Sequence, residues 1–582
     1  MPLLRRLASR LALACLLLTP MALNAAQTPT DPWWKHALIY EIYPRSFGDS
    51  NGDGIGDLNG ITAHLDHLQE LGVDAIWIAP MYPSPQIDFG YDIADYESVD
   101  PKYGNLADFD RLLKSARQRH IRVILDMVLN HTSDKHAWFV ESASSRSNPK
   151  ADWYVWNDGI DASTPGITPL QKRFAHDGKV PPNNWESVFG GSAWEWVPAR
   201  KQFYYHRFYV QQPDLNWRNP AVEKAMFDTM RFWLDRGVAG FRLDAISTLF
   251  EDPQLRNDPE RPGTNDQGDP NLHSLYSDNL PEVHDVIRRL RAMVDTYPDD
   301  RVLIGETYTP DVAELDKWYG GERRDELQLP MNMLVGFGWQ ARFDANWFRT
   351  TLESSQQVHG QPLLVFDNHD NPRSIDRFGD GSHDVQRAKV IATVLLTSRA
   401  AALTYYGAPI GMATATPKRR EDVQDPIGIT GWPREKGRDG ERTPMQWTPG
   451  PQAGFSSNTH TWLPVTPDYT TVNVQTEDAD PESLLHWYRQ LVALRRDNPA
   501  LRDGAMQFLA RDNAQVLVYR REGAKPVLVM MNFSGSAQAI DGKWQEGAVT
   551  TLAASDASLR KLTSLQGVQL PPYAAWVVTP AH

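Results

Sequence analysis

The chain has one cysteine in 582 residues, Cys15, and it falls within the first 26. The remainder has no disulfide framework, no thiol nucleophile and no thiolate metal site. Beyond residue 30 no apolar run is long enough to span a bilayer. Positive charge is in deficit, with 59 Lys and Arg against 73 Asp and Glu for a net −14. A phosphate track needs a basic face, so this balance disfavours nucleic acid as a partner. Internal repeats and low-complexity segments are also missing.

What is present reads as an ordinary globular enzyme, 41% apolar and 23% charged, long enough for two or three domains. Its start is different. Arg5, Arg6 and Arg10 precede the apolar run Leu11 to Leu18, followed by Pro20 and the small pair Ala25-Ala26. That order predicts a secretory signal peptide over residues 1–26 and a periplasmic or secreted mature protein. Cys15 lies inside the apolar run, which continues past it, so a lipoprotein is the weaker reading.

From Trp33 short apolar runs alternate with helical periodicity. Strands are expected at Ile39 to Phe47, Val73 to Pro80, Val123 to Asp126, Gly240 to Ile246, Arg301 to Glu306, Leu363 to Asp370 and Ala401 to Tyr406. Helices are expected at Ile61 to Leu71, Phe109 to Arg119 and Phe227 to Leu234. Alternation over some 400 residues implies parallel pairing and an α/β fold, a closed (β/α)8 barrel of the TIM type over 33–131 and 216–500. Residues 132–215, rich in Trp, Asn, Pro and Gly, read as a small inserted domain after strand 3. Residues 371–460 read as a second insertion, after strand 7. The stretch 505–582 has the short strands of an all-β, antiparallel sandwich domain.

The most informative stretch is Gly240-Phe241-Arg242-Leu243-Asp244-Ala245-Ile246. Arg242 and Asp244 are two positions apart in an apolar strand, so they share one face. Two charges there are costly unless they pair or do chemistry. Other strand ends also carry polar groups: Asp126 with Asn130 and His131, Glu306, and His369 with Asp370. Barrel enzymes place their sites at that end of the strands. Converging carboxylates are the equipment of glycoside hydrolysis, as nucleophile and acid/base.

Asp126-Met127-Val128-Leu129-Asn130-His131, Gly240 to Asp244, Gly305-Glu306-Thr307 and Phe366-Asp367-Asn368-His369-Asp370 resemble, in order, the four signature segments of the α-amylase family, glycoside hydrolase family 13. Gln212 to Trp217 resembles its fifth. With Asn184 to Trp196 and Arg442 to Trp447, the chain looks most like the α-glucosidase and oligo-1,6-glucosidase branch. The resemblance implies that Asp244 is the nucleophile, Glu306 the acid/base and Asp370 the carboxylate holding the sugar's 2- and 3-hydroxyls. It implies that Arg242 pairs with Asp244, and that His131 and His369 bond sugar hydroxyls. Asp88 with Arg442 would hold the 4-hydroxyl of a terminal glucose, Tyr91 would stack on its ring, and Phe189 would form a wall. The expected partner is a small oligosaccharide, with no organic cofactor.

Such a pocket implies an exo-acting α-glucosidase on short chains. In this branch Val after the nucleophile accompanies α-1,6 preference, so Ala245 points to α-1,4 maltose-type substrates. A glucosyl-transferring or isomerising relative, such as a transglucosidase or trehalose synthase, would share the intermediate and stays open. A non-catalytic sugar-binding relative would lack part of the acid trio, which is complete here. One departure is Ala408-Pro409, where relatives carry two acids. Finally, Asp49, Asn51, Asp53, Ile55 and Asp57 place oxygen donors at alternate positions around Gly54, the pattern of a structural Ca2+ loop without its usual terminal Glu.

Overall fold

The computed structural model describes residues 31–265, 268–337, 341–540 and 547–581. The expected leader, with Cys15, lies outside the described residues. Eight parallel strands close into a barrel: β1 (Leu38–Ile42), β2 (Ala75–Ile78), β3 (Arg122–Val128), β4 (Gly240–Asp244), β5 (Val302–Gly305), β6 (Leu329–Asn332), β7 (Leu363–Val365) and β8 (Ala401–Tyr405). Every residue in them except Arg122 is buried. Helices cover the outside, so a strand here needs apolar side chains on both faces.

Strand parity then decides where the charges go. Ile39, Trp77, Ile124, Ile304 and Val365 pack together inside the barrel. Leu38, Ile42, Leu125, Phe241 and Leu243 belong to the cluster that packs against the helices. Stepping by two from the inner residues puts Glu41, Asp126, Arg242 and Asp244 on the inner face, towards the strands' C-terminal ends. Gly240 begins β4 at φ +149°, and a Cβ there would lie 2.0 Å from the Val302 carbonyl oxygen. Glycine is what lets β4 and β5 meet in register.

The sequence expectations need several corrections. The first strand ends at Ile42, because Pro44 opens a short helix, Pro44–Phe47. The helix expected at Ile61 to Leu71 is two, Leu58–Ala63 and Leu65–Leu71, meeting at His64 and stopped by Gly72 at φ +85°. β6 has no counterpart among the expected strands: four residues, one of them Pro330, give too little apolar run to stand out. Residues 371–460 are not one insertion after β7, since helix Asp384–Thr397 and β8 both lie within them. The long irregular segment follows β8 instead.

After β3 the chain leaves to build a three-stranded sheet, Trp156–Asn157, Gln202–Tyr205 and Trp194–Val197, over an aromatic core of Trp185, Trp194, Trp196, Phe203 and Tyr205. It returns where His131 bridges Asp214. At the C-terminal end β9 (Met506–Leu509), β10 (Val516–Arg521), β11 (Val527–Asn532), β12 (Val549–Ala554) and β13 (Ala575–Pro580) form an antiparallel sheet ordered β9-β10-β11-β13-β12. A two-stranded ribbon, Gln538–Ala539 with Gln569–Leu570, accompanies it. Among the described residues no helix is long and apolar enough to cross a membrane.

Candidate active site

A cavity of about 310 Å³ opens at the C-terminal end of the barrel, lined by Asp88, Tyr91, His131, Phe189, Asp244, Glu306, His369 and Asp370. Residues far apart in the chain meet there because each strand ends at the same rim. Arg242 lies just behind, fully buried, with its guanidinium 4.9 Å from the Trp77 ring. Its Nη1 donates to Asp244 Oδ1 at 2.6 Å and to Asp126 Oδ1 at 3.0 Å, while Nη2 lies 2.9 Å from Glu306 Oε2. One cation therefore gathers three carboxylates, two of them on the cavity wall.

The residue after Asp244 is also constrained. Ala245 has φ +41°, in the left-handed region, and its N–H donates to Glu306 Oε2 at 2.9 Å. Backbone strain of that kind persists only where the surroundings enforce it. Burial pushes the Glu306 carboxyl up to about 7, with Asp244 and Asp370 adding to the rise and Arg242 opposing it. Burial raises Asp244 to about 7 as well, against the pull of Arg242. Asp370 goes the other way. Burial would raise it, but the His369 ring and the guanidinium groups of Arg438, Arg442 and Arg242 hold it well below the usual carboxylate range.

The far wall differs from the sequence expectation. The guanidinium that reaches Asp88 is Arg438, not Arg442. Arg438 Nη2 donates to Asp88 Oδ1 at 2.8 Å and Nη1 to Asp370 Oδ1 at 2.9 Å, while Asp425 grips it from behind at 2.7 Å. Arg442, four residues on, is fully buried, donating to the His369 carbonyl at 2.8 Å and to Asp370 at 2.9 Å. Both sit around a 3-10 turn, Asp439–Arg442, and only Arg438 faces the cavity. The signal for Arg438 was an Arg-x-x-x-Arg spacing that a motif beginning at Arg442 hides.

Tyr91 is stacked on the His369 ring, with centroids 5.3 Å apart, and its hydroxyl donates to Asp126 Oδ2 at 3.0 Å. Burial drives His131 down to about 3 and His369 well below its usual value, so both rings are neutral. Gln212 Nε2 donates to Asp88 Oδ2 at 3.1 Å and lies 3.1 Å from His131 Nε2, which ties the insertion's return to the pocket floor. Phe189 stacks on Tyr209, with centroids 4.1 Å apart. Tyr308 also lines the cavity, beside Glu306, and is 57% exposed, so it marks the open side.

The 49–57 loop curls through staggered side-chain bonds. Asp49 accepts from the N–H groups of Gly52 and Gly54 at 2.7 and 2.8 Å, Asn51 from Asp53 and Asp53 from Ile55 at 2.8 Å each. Oxygen donors at alternate positions on a curled backbone suit a hard cation in kind. Asp57 is the poorest fit, since its oxygens accept from Ser50 and from Gly60, capping helix Leu58–Ala63. Among the described residues, the three acids or histidines whose ligand atoms approach within 4.8 Å are Asp31, His36 and Asp503, so the loop's three aspartates do not draw together that closely.

The family follows from comparison of the whole chain. Residues 41–504 match the sequence model described as the α-amylase catalytic domain. The chain belongs to the α-amylase family. A probable α-glucosidase of Rhizobium meliloti (strain 1021) is 42% identical, over 88% of this chain and 91% of that one. An oligo-1,6-glucosidase of Parageobacillus thermoglucosidasius is 38% identical, over 86% and 90%. Among solved structures, the α-glucosyl transfer enzyme XgtA superposes with TM-score 0.82 at 40% identity, covering 95% of this chain and all of that one. For an α-amylase family member, the acids gathered on Arg242 stand at the expected strand ends.

Proposed function

We propose that the protein is a retaining, exo-acting α-glucosidase that releases glucose from the non-reducing end of short α-glucosides, with α-1,4 linkages favoured over α-1,6. The observation that carries this is the pair Asp244 and Glu306 held on the two terminal nitrogens of Arg242. Sharing one guanidinium favours the close spacing of a retaining pair, roughly 5–5.5 Å, over the wider one that admits a water between the carboxyls. Glu306, with its raised pKa, protonates the glycosidic oxygen as Asp244 Oδ2 attacks C1. The C1–O bond breaks, the alcohol leaves, and a β-glucosyl ester forms on Asp244. Glu306, now ionised, takes a proton from the incoming water, whose oxygen displaces Asp244 and returns the configuration to α.

The ionised Asp370 accepts from the sugar's 2- and 3-hydroxyls as positive charge develops, and neutral His131 and His369 bond hydroxyls of the same ring. Asp88 and Arg438 close the pocket beyond the terminal glucose, which excludes internal chain segments. Arg442 supports Asp370 from behind. Similarity to the α-glucosyl transfer enzyme XgtA favours a second reading in which another hydroxyl replaces water at the open side by Tyr308. Incubation with maltose, isomaltose and sucrose followed by chromatography tests both. Free glucose from maltose is expected; longer glucosides or trehalose as the main product would replace hydrolysis by transfer or isomerisation.

The charged and apolar pattern of residues 1–26 supports export to the periplasm or beyond, and a mature N-terminus found within the cytoplasmic fraction at Met1 would refute it. The loop donors Asp49, Asn51, Asp53, Asp57 and the Ile55 carbonyl would hold a structural Ca2+ remote from the reacting atoms. Adding calcium after chelation is expected to raise Tm without changing kcat; no shift in Tm would dismiss the ion.

A further inference from the structure

Glu41 is the one charged residue of β1, and parity turns it into the barrel. It is completely buried. Its Oε1 lies 2.5 Å from His369 Nδ1 and accepts from the His369 N–H at 3.3 Å, while Oε2 is buried without a hydrogen-bond partner. The other face of the imidazole is equally crowded. Nε2 lies 2.7 Å from the Tyr91 hydroxyl oxygen and 3.2 Å from Asp370 Oδ2. Besides His369, the charged or titratable groups around Glu41 are Arg242, Asp370, Asp126 and Tyr405.

The protons can be assigned by counting donors and acceptors. Asp370 receives two guanidinium groups on Oδ1, so it is ionised and only accepts. Tyr91 commits its proton to Asp126. Nε2 of His369 therefore faces two acceptors and must carry the ring's hydrogen. In a neutral imidazole that leaves Nδ1 bare, and the atom 2.5 Å from it must donate. An ionised Glu41 beside an imidazolium would instead leave a buried carboxylate oxygen with neither donor nor cation in contact, which is costly.

We infer that Glu41 is a positioning residue: as a neutral carboxylic acid it donates to Nδ1, fixes the His369 tautomer with hydrogen on Nε2, and through Tyr91 and Asp126 orders the bonds that reach Arg242 and Asp244. Burial raises the Glu41 pKa well above its usual value, in the same direction. The kinetic consequence rests on the glucosidase reading above. Glu41 touches no substrate; it sets which way the ring beside Asp370 presents its proton.

The test compares Glu41→Gln and Glu41→Met with the parent protein, using p-nitrophenyl α-glucoside between pH 5 and 8 together with Tm. A glutamine amide can donate to Nδ1 as the acid does, so E41Q is expected to keep kcat within about threefold and both limbs of the pH profile. E41M cannot donate, and kcat is expected to fall roughly 10- to 100-fold with KM little changed. A drop in E41Q as deep as in E41M, or a displaced acidic limb, would show an ionised Glu41 and overturn the inference; so would an E41M enzyme with parental kcat. If E41M does not fold, the E41Q profile decides alone. If the parent hydrolyses nothing, the glucosidase reading fails, and Tm still judges Glu41. A neutral buried acid loses stability as pH rises past its unfolded pKa, so E41Q must gain in Tm on the parent between pH 5 and 8; no gain rejects the assignment.

Discussion

Arg438 stands between Asp88 and Asp370 with Asp425 behind it, so its three contacts define how deep the pocket is. Replacing it with Ala should cut kcat/KM for maltose by on the order of 100-fold, since it leaves two buried carboxylates, Asp88 and Asp425, without their ion-pair partner and removes the proposed sugar contact. Arg442→Ala, at a side chain with no access to the cavity, should show its effect in Tm as well as in turnover. Steady-state kinetics and thermal melts on the two variants separate these roles, and identical behaviour would contradict the assignment. Glu306 makes a sign-definite prediction. Its folded pKa is raised to about 7, so the native state is favoured by the neutral acid and loses that advantage as pH climbs from the unfolded value towards 7. Glu306→Gln should thus abolish hydrolysis, yet melt higher than the parent at pH 8 and no higher at pH 4. At this scale the acids were legible because charge in an apolar strand is expensive and conspicuous. Glu41 sends the same signal in Tyr40-Glu41-Ile42, but more faintly, because no charged partner stands two residues away. Arg438 was illegible for another reason: it lies in irregular backbone, where spacing does not tell which side chain turns inward.

The elements repeat this contrast between regular and irregular chain. Helix Leu106–Gln118 starts where Asn105 accepts from the N–H groups of Ala107 and Asp108, with Asp108 returning the bond. Asn105→Ala should cost about 1 kcal/mol, read from the urea midpoint. The β4–β5 pair is far less tolerant. Gly240→Ala must push a methyl into the Val302 carbonyl and hold φ near +149°, so a loss of at least ~3 kcal/mol or failure to fold is expected. A soluble, fully active G240A would show that the strands can part without cost. Strands with long apolar runs were readable from pattern alone. β6 was not, because barrel closure supplies its pairing to β5 and β7 and so a run of Leu-Pro-Met-Asn suffices. The segment after β8 could not be placed either, since its residues are fixed by contacts to distant loops and not by any local period.

At the scale of the molecule, the barrel and the C-terminal sheet are fastened by arginines reaching backbone carbonyls. Arg349 donates to the Val516 carbonyl at 2.7 Å, and Arg521 to that of Thr397 at 2.7 Å. Phe533 packs on Phe343 and Phe348 with centroids 4.6 and 5.4 Å apart. Removing residues 505–582 would uncover Phe343 and Phe348 and strand the buried Arg349 guanidinium. The two parts should accordingly melt as one unit in calorimetry, and two separate transitions would show that the sheet is an appendage. The barrel architecture followed from alternation in the sequence, whereas the docking did not, because a carbonyl acceptor leaves no trace in residue identity.

The contact between Asp88 and Arg438 joins residues 350 apart. A chain emerging in order from the ribosome displays the carboxylate long before the guanidinium that answers it has been translated. Until then the far wall of the pocket is open, however well the early strands have folded. The far wall of the pocket is thus among the last parts of the barrel mouth to be supplied during synthesis, and a fragment ending ahead of Arg438 lacks it.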